Sequence, residues 1–132
     1  SGTHDFASDT FKLALYTANP YTQSTSTVYV TGSESSGTEY SAGGNTLSGN
    51  AVSNVADIAT VDFTDSVWGS PTPATFSAAY AALYNSSESN KLVVVLDFGG
   101  TKSCSNGTFT VTFPSPTSGS PSGADALLSI TS

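Results

Sequence analysis

The sequence predicts an all-β protein: an antiparallel β-sandwich, Ig-like or jelly-roll-like, of about seven to eight strands with extended N- and C-terminal arms. Two runs of residues carry this prediction. Residues 91–98 are largely apolar and end at Gly99-Gly100, and residues 108–113 alternate Thr with Phe or Val. Apolar runs bounded by turn residues, and period-two alternation, are the strongest strand signals in a sequence. We expect the two runs to form a hairpin around a polar turn at 101–106.

Further strand candidates are separated by turn residues such as Gly, Pro, Asn and Ser. In chain order they are 11–17, 25–31, a short element at 39–44, 57–63, 64–68 and 75–85. The first candidate alternates clearly, because Phe11, Leu13 and Leu15 fall on one side and Lys12, Ala14 and Tyr16 on the other. This number of short strands with turns between them is typical of a sandwich or a barrel.

Residues 75–85 are ambiguous between a helix and a strand. Their alanine content permits a helix. Read with period two, the segment places its larger side chains on one face, and we predict a strand on this ground. That face would carry Phe76, Ala78, Tyr80, Ala82 and Tyr84.

The chain is long enough for one domain with a real core. We divide it into an N-terminal arm (1–8), a β-sandwich domain (9–114) and a Pro/Ser/Gly linker with an apolar C-terminal arm (115–132). The linker leads to the apolar cluster 126–130. Such a cluster either folds back as an edge strand or docks on a neighbouring subunit, and the sequence leaves both open.

Charge excludes some partner classes. The chain has no arginine, three lysines and ten acidic residues, for a net charge of −7. Nucleic acids and anionic membranes both require clustered cations, so neither is an expected partner. No apolar run is long enough to span a membrane, and no segment resembles a signal peptide.

Candidate catalytic residues are few. Asp57, Asp62 and Asp65 fall close together and Asp97 could join them, which suggests a glycosidase pair or a calcium site. Aspartates at strand ends more commonly cap turns, so we expect no catalytic, metal or cofactor site. His4 is the only histidine and Cys104, in the expected polar turn, the only cysteine.

Aromatic residues are numerous for this length. Packing in the core is the expected role of most of them. Exposed aromatics can also stack on sugars, and Trp68, beside the loop 69–73, is the best candidate for an exposed contact. The aromatics weighed in this way are Tyr16, Tyr21, Tyr29, Tyr40, Trp68, Tyr80 and Tyr84.

Five segments in order resemble a family of small structural proteins of tailed bacteriophages. They span residues 9–114 and are 9–17 (DTFKLALYT), 37–44 (GTEYSAGG), 62–68 (DFTDSVW), 81–85 (AALYN) and the expected hairpin, with 97–100 (DFGG) and 107–109 (GTF). Members of this family are head decoration (cement) proteins, head fibres or minor tail components. The resemblance implies a β-sandwich that binds the outside of a virion, and it transfers no catalytic residue.

From the resemblance we expect a capsid decoration protein on the head exterior, a homo-oligomer (by analogy a trimer) bound to the major capsid protein. The alternatives are a neck, tail or head-fibre component, or a carbohydrate-binding module. Terminal arms suit such contacts because they can add strands to neighbouring sheets. The residues expected at the interface are Ser1, Gly2, Thr3, His4, Phe6, Leu127, Leu128 and Ile130.

Overall fold

The structure, a computed structural model, describes residues 4–21, 27–49, 51–55, 58–113 and 129–131. These residues form strands and one 3-10 turn, Ser86–Glu88, and contain no α-helix, so the all-β prediction is confirmed. The strands are β1 (Phe11–Tyr16), β2 (Asn45–Thr46), β3 (Ala51–Val55), β4 (Ile58–Asp62), β5 (Ser66–Trp68), β6 (Ala74–Asn85), β7 (Lys91–Gly107), β8 (Phe109–Thr112) and β9 (Ser129–Thr131).

The strands form three antiparallel sheets. A four-stranded sheet has the order β2-β1-β6-β7, and a three-stranded sheet has the order β5-β8-β9. β3 and β4 form a two-stranded hairpin of their own. Of the candidate at 25–31, residues 25 and 26 lie outside the described residues, and the rest makes a single bridge, Val28 to Lys91.

One cluster of buried side chains, which we call the main core, joins the four-stranded and three-stranded sheets. The alternation of β1 supplies Phe11, Leu13 and Leu15, all fully buried, as the sequence predicts. β8 supplies Phe109 and Val111 from the other sheet. Burying one such side chain stabilises the fold by about 1.5–3 kcal/mol. The buried members are Phe11, Leu13, Leu15, Leu47, Phe63, Trp68, Ala74, Phe76, Ala78, Ala81, Leu83, Leu96, Cys104, Phe109, Val111 and Phe113.

A second cluster, which we call the tyrosine cluster, lies on the opposite face of the four-stranded sheet. Ala14 and Tyr16 of β1 and Ala82 and Tyr84 of β6 form its buried part. Its half-buried members are Tyr21, Tyr29, Val30, Tyr80 and Leu92. The four-stranded sheet therefore buries side chains on both of its faces.

β6 is a strand, as predicted, but its faces differ from the prediction. Phe76 and Ala78 face the main core, whereas Tyr80, Ala82 and Tyr84 face the tyrosine cluster. The reason is a bulge between the pairs Ala78–Lys102 and Tyr80–Asp97, where the register shifts. A bulge inserts unpaired residues and exchanges the two faces of the strand beyond it.

The predicted hairpin between 91–98 and 108–113 is wrong. β7 continues through residues 101–106 as far as Gly107 and pairs with β6, not with β8. Gly99 and Gly100, at φ +79° and +152°, lie within the bulge opposite β6 and do not end the strand. β8 pairs instead with β5 and β9.

Candidate functional site

The N-terminal residues that were expected to form an extended arm lie against the domain from residue 4 onward. The Phe6 ring stacks on Phe11 with centroids 4.9 Å apart, and the His4 ring lies 6.2 Å from that of Phe11. Residues 6–8 form a turn. The expectation of an extended arm is therefore wrong for residues 4–8, and Ser1, Gly2 and Thr3 lie outside the described residues.

A fully buried polar residue, Asn85, holds this N-terminal turn in place. Its Nδ2 donates to Asp9 Oδ2 at 2.8 Å and lies 3.1 Å from His4 Nδ1. Its Oδ1 accepts from the Ser87 amide at 2.9 Å and caps the 3-10 turn. Both halves of the amide are satisfied, as burial of a polar group requires.

Asp5 stabilises the N-terminal turn through hydrogen bonds within the turn itself. Its carboxylate accepts from the Ser8 hydroxyl at 2.7 Å and from the Ala7 amide at 3.0 Å. These hydrogen bonds, the one from Ser8 first, hold the pKa of Asp5 below its usual value. A carboxylate that accepts local hydrogen bonds in this way is a turn cap.

The C-terminal segment supplies an edge strand. β9 pairs antiparallel with β8, with Ile130 opposite Val111. Of the two possibilities left open by the sequence, residues 129–131 have the first, since they fold back on the sheet of their own chain. Leu127 and Leu128 lie outside the described residues.

Trp68 is not an exposed aromatic. It is 3% exposed and packs in the main core against Tyr40, Phe76 and Phe109, with ring centroids 6.1–6.2 Å away. Its buried Nε1 has no hydrogen-bond partner among the residues that the structure describes. The sugar-stacking role considered for Trp68 is therefore wrong, and core packing accounts for it.

The aspartates considered for metal binding form no three-residue site within the described residues. Asp57 lies outside the described residues, and Asp97 Oδ1 accepts from the Gly99 amide at 2.8 Å within the bulge. Across the described parts of the chain, no group of three or more His, Cys, Asp or Glu side chains is arranged to hold a metal ion. No helix there is long and apolar enough to cross a membrane.

Glu34 is a polar centre that the sequence did not single out. Its carboxylate accepts the Tyr29 hydroxyl at 2.6 Å, the Tyr40 hydroxyl at 2.7 Å and the Gly43 amide at 2.8 Å. The Tyr84 hydroxyl donates to the Gly43 carbonyl at 2.7 Å. Glu34 lies in a loop without periodicity, so no pattern in the sequence could indicate these contacts.

The tyrosines around Glu34 titrate above their ordinary range. Burial raises the pKa of Tyr84 to about 12, and the charge of Glu34 adds to this effect. Burial, followed by hydrogen bonding to Glu34, also raises the pKa of Tyr29. Burial raises the pKa of Tyr40 and Tyr16 further. These hydroxyls are kept neutral, which suits donors in a packed network better than nucleophiles or bases.

Cys104 was expected in a polar turn. It lies instead in β7 opposite Phe76, is 5% exposed and belongs to the main core. A buried thiol in apolar surroundings is inert, whereas reactive cysteines are exposed and lie near cations.

Sheet edges are the remaining candidate interaction surfaces. β7 is an edge strand of the four-stranded sheet, and β3–β4 is a hairpin outside both larger sheets. Unpaired sheet edges are ready templates for another strand. These edges, with the C-terminal strand β9, are the features of the described chain best suited to binding a protein.

No protein-family model matches the chain, and no curated protein or solved structure matches it at a significant level.

Proposed function

We propose that this protein is a structural component of a tailed-bacteriophage virion, a capsid decoration (cement) protein bound to the outside of the head. In this proposal it stabilises contacts between subunits of the major capsid protein, as a trimer. The proposed fold is a β-sandwich, and the main core supports it because its side chains come from the four-stranded and the three-stranded sheets. The resemblance over residues 9–114 supports the virion assignment.

The observation that carries the proposal is β9. Residues 113–128 separate it from β8, the strand with which it pairs. Two residues suffice to join adjacent antiparallel strands, so this connection is much longer than a hairpin requires. A terminal strand on a long connection, held at a sheet edge by backbone hydrogen bonds, suits a module that also adds strands to neighbours.

The docked N-terminal turn narrows the proposed interface. His4 and Phe6 are engaged with Asn85 and Phe11, so the capsid contact at this end falls to Ser1, Gly2 and Thr3. At the other end it falls to Leu127, Leu128 and the outer edge of β9 at Ile130, since β9 pairs with β8 on its inner side only. Many identical copies on one shell would sum weak contacts of this kind by avidity. The acidic charge would keep the protein away from DNA.

The direct test is the position and copy number of the chain on purified virus particles, by cryo-electron microscopy. Hundreds of copies on the head are the expected result. A ring of about six copies at the neck or tail would overturn the cement role and retain the virion role. Absence from particles would overturn both.

A second test uses heads that lack the protein. Full-length protein should saturate them at lower concentration than a variant truncated after residue 114. Circular dichroism of the free variant must first show that the remaining strands are folded. Equal saturation by the two proteins would remove the C-terminal residues from the interface.

A further inference from the structure

The β3–β4 hairpin is rooted in the domain but pairs only with itself. Leu47, before the hairpin, and Phe63, after it, are both buried in the main core. Next to them, the Thr64 amide donates to the Ser48 carbonyl at 2.8 Å and closes the base of the hairpin. Beyond this base neither strand pairs with any other described strand or makes extensive contact with one. The hairpin is thus anchored at its base and joins neither of the two larger sheets.

The sequence of the hairpin does not suit an isolated position in water. The strand register pairs Val52 with Val61 and Val55 with Ile58, so two of the five residue pairs of the hairpin join β-branched apolar residue types. A two-stranded hairpin is marginally stable alone, and a third strand or a packing surface is needed to stabilise it.

The outer edge of β7 offers the complementary surface. Residues 27–29 cover only its first part, where Leu92 N donates to Thr27 O at 2.8 Å and Tyr29 N donates to Asn90 O at 2.9 Å. Over Val93–Asp97, no other described strand pairs with this edge. Val94 is 37% exposed. Native proteins usually cover or blunt a long apolar edge of this kind.

Length and charge both match the hairpin to this edge. β4 has five residues, enough to span Val93–Asp97, the part of the unpaired edge that lies between residues 27–29 and the bulge at 98–101. β7 carries Lys91 and Lys102, two of the three lysines of the chain, and one acidic residue, Asp97, whereas residues 51–62 contain two aspartates and no lysine. Two copies repel one another because each has a net charge of −7, and the two lysines of β7 reduce that repulsion locally.

We propose that the β3–β4 hairpin of one copy adds the edge of β4 to the outer edge of β7, over Val93–Asp97, in a second copy. The contact is heterologous, so it closes a ring when the rotation between copies permits. The proposal names the contact behind the oligomer of the proposed function, but it concerns the free protein and is tested without capsids.

The test uses two single-cysteine additions, Thr60→Cys and Val95→Cys. These positions are the centres of β4 and of the uncovered stretch, so they come together whether the strands run parallel or antiparallel. After treatment with a short thiol-reactive cross-linker, a mixture of the two variants should give about tenfold more covalent dimer than either alone, because the contact brings the thiols to high effective concentration. The native Cys104 is buried and should not compete.

A charged substitution on the edge of β7 should prevent the contact between copies. Val94→Lys places a charge on the edge, a common device against strand addition, and should shift the protein to monomer in sedimentation experiments. Val67→Lys is the matched control, because Val67 is similarly exposed, at 44%, but lies on β5. It should leave the oligomer unchanged.

A wild-type protein that is monomeric at all concentrations, or a mixture that cross-links no better than its components, would overturn the proposal. Assembly that is lost equally in both lysine variants would also do so. None of these results bears on capsid binding, which the truncation experiment measures separately.

Discussion

The Tyr40 hydroxyl donates to Glu34 at 2.7 Å and links a loop carboxylate to the edge of β1. The same hydroxyl accepts from the Leu15 amide at 2.9 Å, beyond the point where β2 stops pairing with β1. A side chain thus takes the place of a strand along part of this edge. The arrangement satisfies a backbone donor that the short β2 does not reach.

Removal of the Tyr40 hydroxyl should therefore destabilise the fold. We expect Tyr40→Phe to lower the free energy of unfolding by about 1–3 kcal/mol, because it leaves the Leu15 amide and Glu34 each without one partner. Denaturant titration measures this change. Tyr80→Phe is the control, since no hydrogen bond of the Tyr80 hydroxyl occurs within the described residues, and its effect should stay within about 0.5 kcal/mol. Equal effects would contradict the assignment.

Gly44 and Gly99 form a matched pair for backbone strain. Both have positive φ, +76° and +79°. A Cβ at Gly44 would overlap the Leu13 carbonyl, whereas a Cβ at Gly99 would meet no atom within 4 Å. Gly99→Ala should cost about 1–2 kcal/mol from conformation alone. Gly44→Ala should cost clearly more, in thermal or denaturant unfolding, because β2 must also move away from β1.

Loss of the Asn85 side chain should release the N-terminal turn. Asn85→Ala removes the donor to Asp9 and the acceptor for Ser87, with an expected cost of about 2 kcal/mol. Amide hydrogen exchange should show faster exchange at Asp9, whose amide donates to Asp5 O at 2.8 Å, than in wild type. Ser105→Ala, at an exposed position, should change neither quantity. Unchanged protection at Asp9 would show that Asn85 does not hold the turn.

The thiol of Cys104 should be unreactive in the native protein. Its reaction with a thiol reagent should proceed only as fast as the fold opens, and denaturant should accelerate it greatly. Cys104→Ser/Ser105→Cys moves the thiol one residue along β7 to an exposed position and should react at once without denaturant. Rapid labelling of native wild-type protein would contradict the buried position.

Alkaline pH should destabilise the protein through its tyrosines. Because folding raises the pKa of Tyr84 from 10 to about 12, its contribution to stability is complete below pH 10 and is lost as the pH rises through 12. Tyr16, Tyr29 and Tyr40 shift in the same direction. Unfolding midpoints measured across this pH range should fall, and the fall should be shallower in Tyr84→Phe. A midpoint that is constant to pH 12 would contradict the network.

The sequence predicts correctly those elements whose structure depends only on their own residues. The alternation of β1 depends only on its own residues, and its two faces are as predicted. The second half of β6 faces the opposite way from the prediction because of the bulge formed with Phe98–Thr101 of β7. A bulge depends on two strands, so the sequence of β6 alone does not predict it. The Gly99-Gly100 pair suggested a turn, yet glycine serves a bulge equally well.

The candidate site was less predictable than the fold. The position of Trp68 beside a loop suggested exposure, but residues from three separate parts of the chain enclose it. Glu34 gains its tyrosine partners through tertiary contacts alone. The position of β7 at a sheet edge could not be predicted, because a sequence gives no indication of which strands lie at an edge.

The burial of β6 on both of its faces also has a consequence for sequence divergence. The strand β6 lines two interiors, the main core through Ala81 and the tyrosine cluster through Ala82. A larger residue at either position crowds only the interior that it faces. The two interiors can therefore accumulate substitutions at separate rates, and relatives of this protein could keep one nearly unchanged while the other is rebuilt.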